Sequence, residues 1–335
     1  MFKTAYSFDD VLLRPRYSDI VSRSDIDLTL DIYTSSPMRL PVFASPMDTI
    51  MSVDMAHAVY QAGGRGVMHR YNDISEQSRI VRQVASESEV FAAVGITGDY
   101  YDRASALVEA GAAGLCVDVA HGHHMTAISA IEKLRSTFPG IHIMAGNVAT
   151  LDGFNALADA GATSIRVGVG GGSICSTRIQ TGHGIPTLHS VIECSTSESD
   201  ALLIADGGIK NSGDMVKALA AGADAIMIGR MLAGTQETPG DVITNPGQAP
   251  VKVYRGMASP EAQIQWRGRY SSNEGVSRTV RLKGSATEVL FEINKGIRSG
   301  LSYSGARNVM ELQAKANFIT QTSAGARESS THIDS

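Results

Sequence analysis

The chain has 335 residues, of which 43% are hydrophobic and 19% charged, a composition that excludes a disordered protein and allows one large domain or two smaller ones. Its 29 basic and 34 acidic residues give a formal net charge of −5, so there is no electrostatic basis for binding nucleic acid or an anionic membrane. A cytoplasmic protein is expected, because there is no membrane-length apolar run, no apolar signal sequence and no disulfide framework.

Eight short apolar runs rich in β-branched residues recur along the chain. Continuous apolar runs of this length are typical of parallel strands that are buried on both faces. The runs are PVFASPM (residues 41–47), GVMH (66–69), FAAVGI (91–96), GLCVDVA (114–120), IHIMAGNV (141–148), SIRVGVG (164–170), LLIADGG (202–208) and AIMIGR (225–230).

Alanine-rich stretches of helical length lie between these runs, and many of them end in Ala-Gly, which marks a helix stop. They cover residues 52–62, 103–112, 126–138, 151–160 and 214–221. Eight strand-then-helix units in one series predict a (β/α)8 barrel, or TIM barrel, and we expect residues 1–335 to form this single domain. A doubly wound open sheet is the alternative fold, but eight evenly spaced parallel units favour a closed barrel.

Two segments lie outside the eight units, residues 1–40 and 245–335. Within the second, residues 265–277 (QWRGRYSSNEGVS) are polar and without periodicity, which predicts a mobile flap. The tail, residues 321–335, is small and polar. It predicts either a frayed terminus, as at most chain ends, or an arm that docks on a neighbouring subunit.

The sixth predicted strand continues into a glycine-rich segment, GVGGGSICSTR (residues 168–178). In a (β/α)8 barrel the chemistry lies at the carboxyl ends of the strands, and glycines there let backbone amides approach an anion closely. A thiol flanked by small polar residues at such a strand end favours a nucleophile at Cys175. The alternative is a flexible turn that contains a buried, inert cysteine.

The seventh predicted strand ends in Asp206-Gly207-Gly208 and the eighth in Gly229-Arg230. Glycines after these two strands match the usual phosphate site of the barrel, where loop amides hold a phosphoryl group. A carboxylate repels phosphate, so we expect Asp206 to bind a ribose diol. A helix N-cap with turn glycines is the alternative, but it does not explain why all of them lie at one end of the barrel.

Polar residues also follow the fourth and fifth predicted strands. Asp118 precedes three histidines, His121, His123 and His124, but no Glu or Cys lies at ligand spacing in this helix start, which disfavours a zinc site. A second ribose or an amide is the better partner for Asp118. Asn147 offers both a donor and an acceptor to a base or sugar edge.

Taken together and in order, these motifs resemble the IMP dehydrogenase/GMP reductase family. The resemblance runs from Phe8 to about His332 and is carried by FDDVLLRP, SPMDT, DVAHGH, MAGNVAT, GGGSICSTR, IADGGI, YRGMAS and IRSGLSYSG. It implies a (β/α)8 barrel assembled as a homotetramer, a purine nucleoside monophosphate (GMP or IMP) as substrate, and a nicotinamide cofactor.

The same resemblance assigns roles residue by residue. Cys175 resembles the nucleophile that attacks C2 of the purine, and Thr177 the residue that activates the attacking or departing group. The positions that hold the nucleotide or complete the catalytic set are Ser45, Met47, Asn147, Ser173, Asp206, Gly208, Gly229, Tyr254, Gly256, Met257 and Glu274. On the nicotinamide side lie Thr97, Asp118, Ala120 and His121. A monovalent cation, K+, is implied at Gly170, Gly172 and Cys175, with Glu328 and Ser329 of a neighbouring subunit.

One residue near the phosphate departs from the family pattern. Arg230 stands where the family usually has Ser or Gly. It either adds a charge-assisted contact to the nucleotide or is turned to solvent.

Several features resemble GMP reductases. No regulatory (CBS) domain follows the second predicted strand, since MHRY (residues 68–71) runs on to the third strand within one helix length. The pair Arg14-Pro15 and the stretches SRSD (22–25) and MLAG (231–234) also resemble GMP reductases. The flap between Met257 and Glu274 is short, which disfavours the hydrolysis that dehydrogenases carry out with a long flap.

Other features resemble IMP dehydrogenases: Arg269-Tyr270, which corresponds to their water-activating pair, YRGMAS, and the tail AGARESSTH. Because flap length bears directly on the step that separates the two reactions, we predict a GMP reductase that uses NADPH. An IMP dehydrogenase that uses NAD is the alternative. A catalytically silent nucleotide sensor and a flavin-dependent barrel oxidoreductase are disfavoured, because neither needs Cys175.

Overall fold

The computed structural model describes residues 3–329. The strands are β1 Val11–Leu13, β2 Val42–Ala44, β3 Arg65–Met68, β4 Val90–Val94, β5 Gly114–Asp118, β6 His142–Val148, β7 Ser164–Val167, β8 Leu202–Asp206, β9 Ala225–Ile228, β10 Val251–Arg255, β11 Ser277–Arg281 and β12 Phe318–Thr320. The helices are α1 Val53–Gln61, α2 Ile74–Ala85, α3 Tyr100–Glu109, α4 Met125–Thr137, α5 Leu151–Asp159, α6 Thr177–Thr181, α7 Thr187–Cys194, α8 Ser212–Ala220, α9 Pro260–Arg267, α10 Ala286–Tyr303, α11 Val309–Lys315 and α12 Ser323–Glu328. Two short 3-10 helices cover Phe8–Asp10 and Arg23–Asp25.

Strands β2 to β9 form a closed parallel barrel in sequence order, in which β9 pairs with β2. The predicted (β/α)8 barrel is therefore confirmed, and each of the eight apolar runs supplies one of its strands. Except for β6, which ends with its run at Val148, the strands end earlier than the runs do, because the last residues of those runs leave the sheet at the barrel mouth. Gly168, for example, follows β7 with φ +146, a backbone conformation that favours glycine.

Several helices begin at side-chain caps, and several end at glycines in the left-handed region. Ser52 and Asp73 accept hydrogen bonds from Met55 N (2.9 Å) and Glu76 N (2.7 Å), which satisfies amides that have no partner inside the helix. After α3 and α5, Gly111 (φ +92) and Gly161 (φ +100) turn the chain into the next strand. Helix α2 lacks the alanine-rich pattern of the others, and it follows β3 after only residues 69–73. No domain is inserted at this point.

The elements outside the barrel form two small antiparallel sheets. One pairs β1 with β12, and the other pairs β10 with β11. Helix α9 lies between β10 and β11, capped by Ser259 with Pro260 in its first turn. The predicted flap, residues 265–277, thus begins in the last turn of a helix and ends in a strand, a local order that its polar composition did not indicate. None of the helices within residues 3–329 is long and apolar enough to cross a membrane.

Candidate active site

The glycine-rich segment that follows β7 is held by backbone pairing with the end of the flap. Cys175 bridges Gly275 in antiparallel fashion, and Val276 N donates to Ile174 O at 3.0 Å. Cys175 N also donates to Gly172 O within its own loop, at 3.1 Å. The nucleophile candidate therefore lies at the carboxyl end of the barrel, where the flap hairpin fixes its backbone.

Three side chains form a hydrogen-bonded series at this place. The Cys175 thiol lies 3.1 Å from Thr177 Oγ1, and Thr177 Oγ1 donates to Glu274 Oε2 at 2.8 Å. Such a series can carry a proton between a thiol and a carboxylate. The structure thus brings together three residues to which the resemblance assigns catalytic roles. Thr177 and Glu274 are 97 positions apart along the chain.

A second polar network joins the ends of β5, β6, β7 and β8. Asn147 Nδ2 donates to Asp206 Oδ2 at 2.8 Å and to Gly168 O at 2.9 Å. Arg166, only 3% exposed, donates to Asp118 Oδ1 at 2.5 Å and lies 3.6 Å from Asp206 Oδ2. Burial raises the pKa of the Asp206 carboxyl, while Arg166 and Asn147 oppose that shift. The cation connects the carboxylate expected at the substrate with the one expected at the cofactor.

Sequence reasoning missed Arg166. A charged residue inside an otherwise apolar strand, SIRV (Ser164–Val167), was the available signal, because a buried guanidinium requires an acidic partner. In the structure Arg166 has two acidic partners, Asp118 and Asp206.

The side chains expected at the phosphate end also converge. The hydroxyl of Tyr254 hydrogen-bonds Ser173, and burial raises its pKa. A Cβ at Gly229 would lie 2.9 Å from Met47 Sδ and 3.4 Å from both Ser45 Oγ and the Tyr254 hydroxyl. Gly229 therefore leaves open a space that any side chain would fill.

Close backbone packing holds the neighbouring loops together. A Cβ at Gly168 would lie 1.9 Å from Asp206 O, and one at Gly256 would lie 3.3 Å from the Cα of Gly275. Gly208 has φ +78 and lies near Gly171 O. These glycines allow the loops after β7, β8 and β10 to meet at one point.

Arg230 is exposed, and its side chain makes no hydrogen bond to another described residue. Lys283 Nζ donates to the backbone oxygens of Arg230 and Met231, at 3.3 and 3.0 Å. Burial, with the nearby Arg230 charge, lowers the pKa of Lys283. Arg230 is thus turned to solvent beside a second cation, and its contact with the nucleotide stays a prediction.

The residues expected on the cofactor side follow β4 and β5. Thr97 and Ala120 lie in the loops after these strands, together with His121, which is exposed. Arg70, a residue that the sequence analysis did not single out, donates to Asp118 O at 3.4 Å. His124 caps α4 by accepting from Thr126 N at 3.1 Å. No group of three metal-ligating side chains lies together within residues 3–329.

Helix α9 packs on this side of the barrel mouth through an aromatic stack. The rings of Tyr71 and Trp266 lie 4.2 Å apart and nearly parallel, at 11°, and the Arg70 guanidinium lies 5.6 Å from the Trp266 ring. The Tyr71 hydroxyl donates to Met257 O at 2.6 Å. A cavity of about 920 Å³ separates α9 from the loops after β2, β3 and β4, and Asp48 pairs with Arg255 at 2.5 Å along its wall.

Arg269 and Tyr270 are not brought to Cys175 in this structure. Tyr270 is 58% exposed, and within residues 3–329 neither side chain makes a hydrogen bond to the Cys175 loop. Glu328 ends α12 and Ser329 follows it, while Gly170 and Gly172 lie in the loop after β7. A cation site that combines these residues across two subunits stays a prediction.

Comparison with known proteins gives matches over the whole length of the chain. A family model described as IMP dehydrogenase / GMP reductase domain matches residues 5–332. Inosine-5'-monophosphate dehydrogenase from Nitrosopumilus maritimus (strain SCM1) is 32% identical over 470 residues, covering 99% of this chain and 98% of the relative. The enzyme of the same name from Aquifex aeolicus (strain VF5) is 48% identical over 254 residues, which cover 72% of this chain and 52% of the relative.

A solved structure is similar over the full length. The crystal structure of a cysteine-to-alanine variant of GMP reductase from Trypanosoma brucei, in complex with guanosine 5'-monophosphate, has a TM-score of 0.95 and 29% identity, and the match covers 100% of this chain and 99% of that one. The 470-residue alignment with the Nitrosopumilus relative is longer than the 335 residues of this chain, so that relative carries residues that have no counterpart here. The chain belongs to the IMP dehydrogenase/GMP reductase family, purine nucleotide oxidoreductases built on a TIM barrel, and it lacks the CBS insertion.

Proposed function

We propose that the protein is a GMP reductase, which converts GMP and NADPH to IMP, ammonia and NADP+. The observation that carries this choice is the conformation of the flap. Its end delivers Glu274 to Thr177 at 2.8 Å, whereas Tyr270 of the Arg269-Tyr270 pair is 58% exposed. A hydrolytic enzyme needs a water-activating pair at the adduct, and reduction does not.

The chemistry uses the hydrogen-bonded series at the barrel mouth. The Cys175 thiol passes its proton through Thr177 toward Glu274, and the sulfur adds to C2 of the purine as the C2–N3 double bond opens onto N3. The 2-amino group takes up that proton and leaves as ammonia, and the C2–N3 double bond re-forms. The nicotinamide cofactor, when bound, would supply the hydride that C2 then receives, with the double bond again opening onto N3. The C2–sulfur bond breaks as the C2–N3 double bond re-forms, which releases IMP, and the sulfur takes up a proton from solvent to restore the thiol.

The remaining residues would hold the two ligands on opposite sides of C2. Backbone amides at Gly208 and Gly229 suit the phosphate, and Asp206 suits the ribose hydroxyls, because a charged acceptor binds a diol strongly. The Asp118 side chain is 24% exposed while it accepts from Arg166, so it keeps an accessible acceptor edge for a cofactor hydroxyl. Thr97, Ala120 and His121 border the same edge.

We also expect a cytoplasmic homotetramer with K+ between subunits. Backbone carbonyls at Gly170, Gly172 and Cys175 are hard oxygen donors, which suit an alkali cation. Glu328 and Ser329 of the partner subunit would complete the set. Sedimentation of the purified protein, and turnover in K+ against Na+ at equal ionic strength, test these two points.

IMP dehydrogenase is the second candidate. The names of the curated relatives and the retained Arg269-Tyr270 pair favour it. In the deciding experiment, the purified protein is given GMP with NADPH and, separately, IMP with NAD. The absorbance of the reduced nicotinamide is followed, and the purine product is identified by chromatography. We expect NADPH consumption with formation of IMP. Formation of XMP and NADH from the second pair, with none from the first, would assign the dehydrogenase instead.

A further inference from the structure

The flap contains one deeply buried amide side chain. Gln263 lies on α9 and is only 2% exposed, although the residues around it are polar. Its Nε2 donates to Ser272 O at 2.7 Å and to Ala258 O at 3.0 Å. Its Oε1 accepts from Ser271 N at 3.1 Å and from Arg267 Nη2 at 2.7 Å. Both ends of the amide are therefore used, and both hold the loop that follows the helix.

That loop delivers Glu274 to the reacting thiol. Glu274 N donates at 3.3 Å to the Oγ of Ser272, the residue whose carbonyl Gln263 holds. Ser176, next to Cys175, donates from N to Glu274 O at 2.9 Å and from Oγ to Asn273 O at 2.9 Å. A continuous series of hydrogen bonds thus runs from α9 through the loop to the Cys175 segment.

Helix α9 is itself held on the barrel. The Trp266 ring stacks on Tyr71, whose hydroxyl bonds Met257 O immediately before the helix. Gln263 therefore connects a fixed helix with a loop that has no regular secondary structure between Gly268 and Val276. A buried amide with all its groups paired fixes geometry, because any shift leaves a polar group without a partner.

We propose that Gln263 is a positioning residue that sets Glu274 against Thr177 and Cys175. The inference rests on the proposed use of Glu274 in proton transfer, and it holds for either direction of the family reaction. Misplacement of a catalytic group by about 1 Å costs on the order of 100-fold in rate, so this contact can control turnover without touching substrate.

The test is a double-mutant cycle with Gln263→Met and Glu274→Gln, measured with whichever substrate pair the wild type turns over. We expect Gln263→Met to lower kcat by about 10- to 100-fold and to leave the nucleotide KM within about threefold. The double variant should be no more than about threefold slower than Glu274→Gln alone, since both changes remove the same function. Glu261→Met, at an exposed position of the same helix whose side chain makes no hydrogen bond to another residue within 3–329, is the matched control and should stay within about twofold of wild type.

Two results would overturn the proposal. One is a kcat for Gln263→Met within about threefold of wild type, and the other is an effect that multiplies with that of Glu274→Gln. If Gln263→Met does not fold, Gln263→Glu decides, because it keeps the acceptor for Ser271 and Arg267 and loses the donor to Ser272. Its kcat, measured below its own unfolding transition, should fall as well, and its melting temperature should fall because the Ser272 and Ala258 carbonyls lose their donor. Since each ratio refers to wild type in the same reaction, a wrong assignment of direction leaves this test intact.

Discussion

The two ends of the barrel both bury charged or polar side chains, but they satisfy them differently. At the bottom, Arg65 is 1% exposed and donates to Glu89, Ser36 and the Gly64 carbonyl. At the mouth, Arg166 is 3% exposed, yet its Nε has no hydrogen-bond partner among residues 3–329, and neither has Thr187 Oγ1. Buried polar groups are normally paired, and the unpaired Arg166 Nε lies in the polar network where the proposed function places the two ligands. Under that proposal the closed network serves stability and the open one serves binding.

The largest effect at the open end is expected from Cys175→Ser. Turnover should fall below detection in either direction, because serine keeps the shape but has no thiolate accessible near neutral pH. Binding of GMP, measured by calorimetry, should change little. Residual turnover within about tenfold of wild type would argue against a covalent route.

Asp206→Ala should weaken nucleotide binding without changing the bottom of the barrel. Loss of a charged acceptor costs on the order of 1.5–3 kcal/mol, so we expect the KM for GMP to rise about 10- to 100-fold. Initial rates over a range of GMP concentrations measure this, with thermal unfolding as the control for the fold. An unchanged KM for GMP and for IMP would show that Asp206 does not bind the sugar.

At the bottom of the barrel, we expect side chains to affect the pH dependence of folding stability rather than the rate of turnover. His142 Nδ1 donates to Ile32 O and Nε2 accepts from Ser164, and burial lowers the His142 pKa to about 4. Between pH 6.5 and about 4 the unfolded chain binds a proton that the folded chain does not, so stability falls as the pH falls. The slope from this group is at most about 1.4 kcal/mol per pH unit, and it vanishes above pH 7.

Urea unfolding of wild type and His142→Gln at pH 7.5, 6 and 5 isolates this contribution. The variant should be less stable at pH 7.5 and should lose less stability on acidification. Parallel pH dependence in the two proteins would mean that His142 is not the group responsible.

The smallest effect is expected at the exposed part of the flap. Arg269→Ala should leave GMP-dependent NADPH oxidation within a few-fold of wild type, because the Arg269 side chain is exposed and, within residues 3–329, makes no hydrogen bond to the Cys175 loop. The same variant tests the alternative function with IMP and NAD. There, a burst of NADH followed by stalled turnover would assign Arg269 to adduct hydrolysis, where a general base contributes roughly 10²–10⁴-fold.

Most of the barrel could be predicted because its signals are local. The apolar run of each strand, such as residues 91–96, and the Ala-Gly stop of many helices lie within a few residues of the element that they specify. The Cys175 loop could be identified for the same reason. Its composition is unusual over a single short stretch.

The contacts that complete the site could not be predicted, since they join distant parts of the chain. The Tyr71–Trp266 stack and the Arg166 pairings with Asp118 and Asp206 depend on how whole elements pack. The hydrophobic pattern of the sequence did not predict helix α9, because its buried residues include Gln263, which is polar.

The pairing of β1 with β12 has a consequence for biosynthesis. Val11 lies opposite Thr320, and Gln321 N donates to Asp10 O at 2.9 Å. Strand β1 therefore has no partner until residues 318–320 have been translated, and an unpaired edge is a template for association with other chains. The barrel strands, which end at Ile228, are synthesised before this ladder can form.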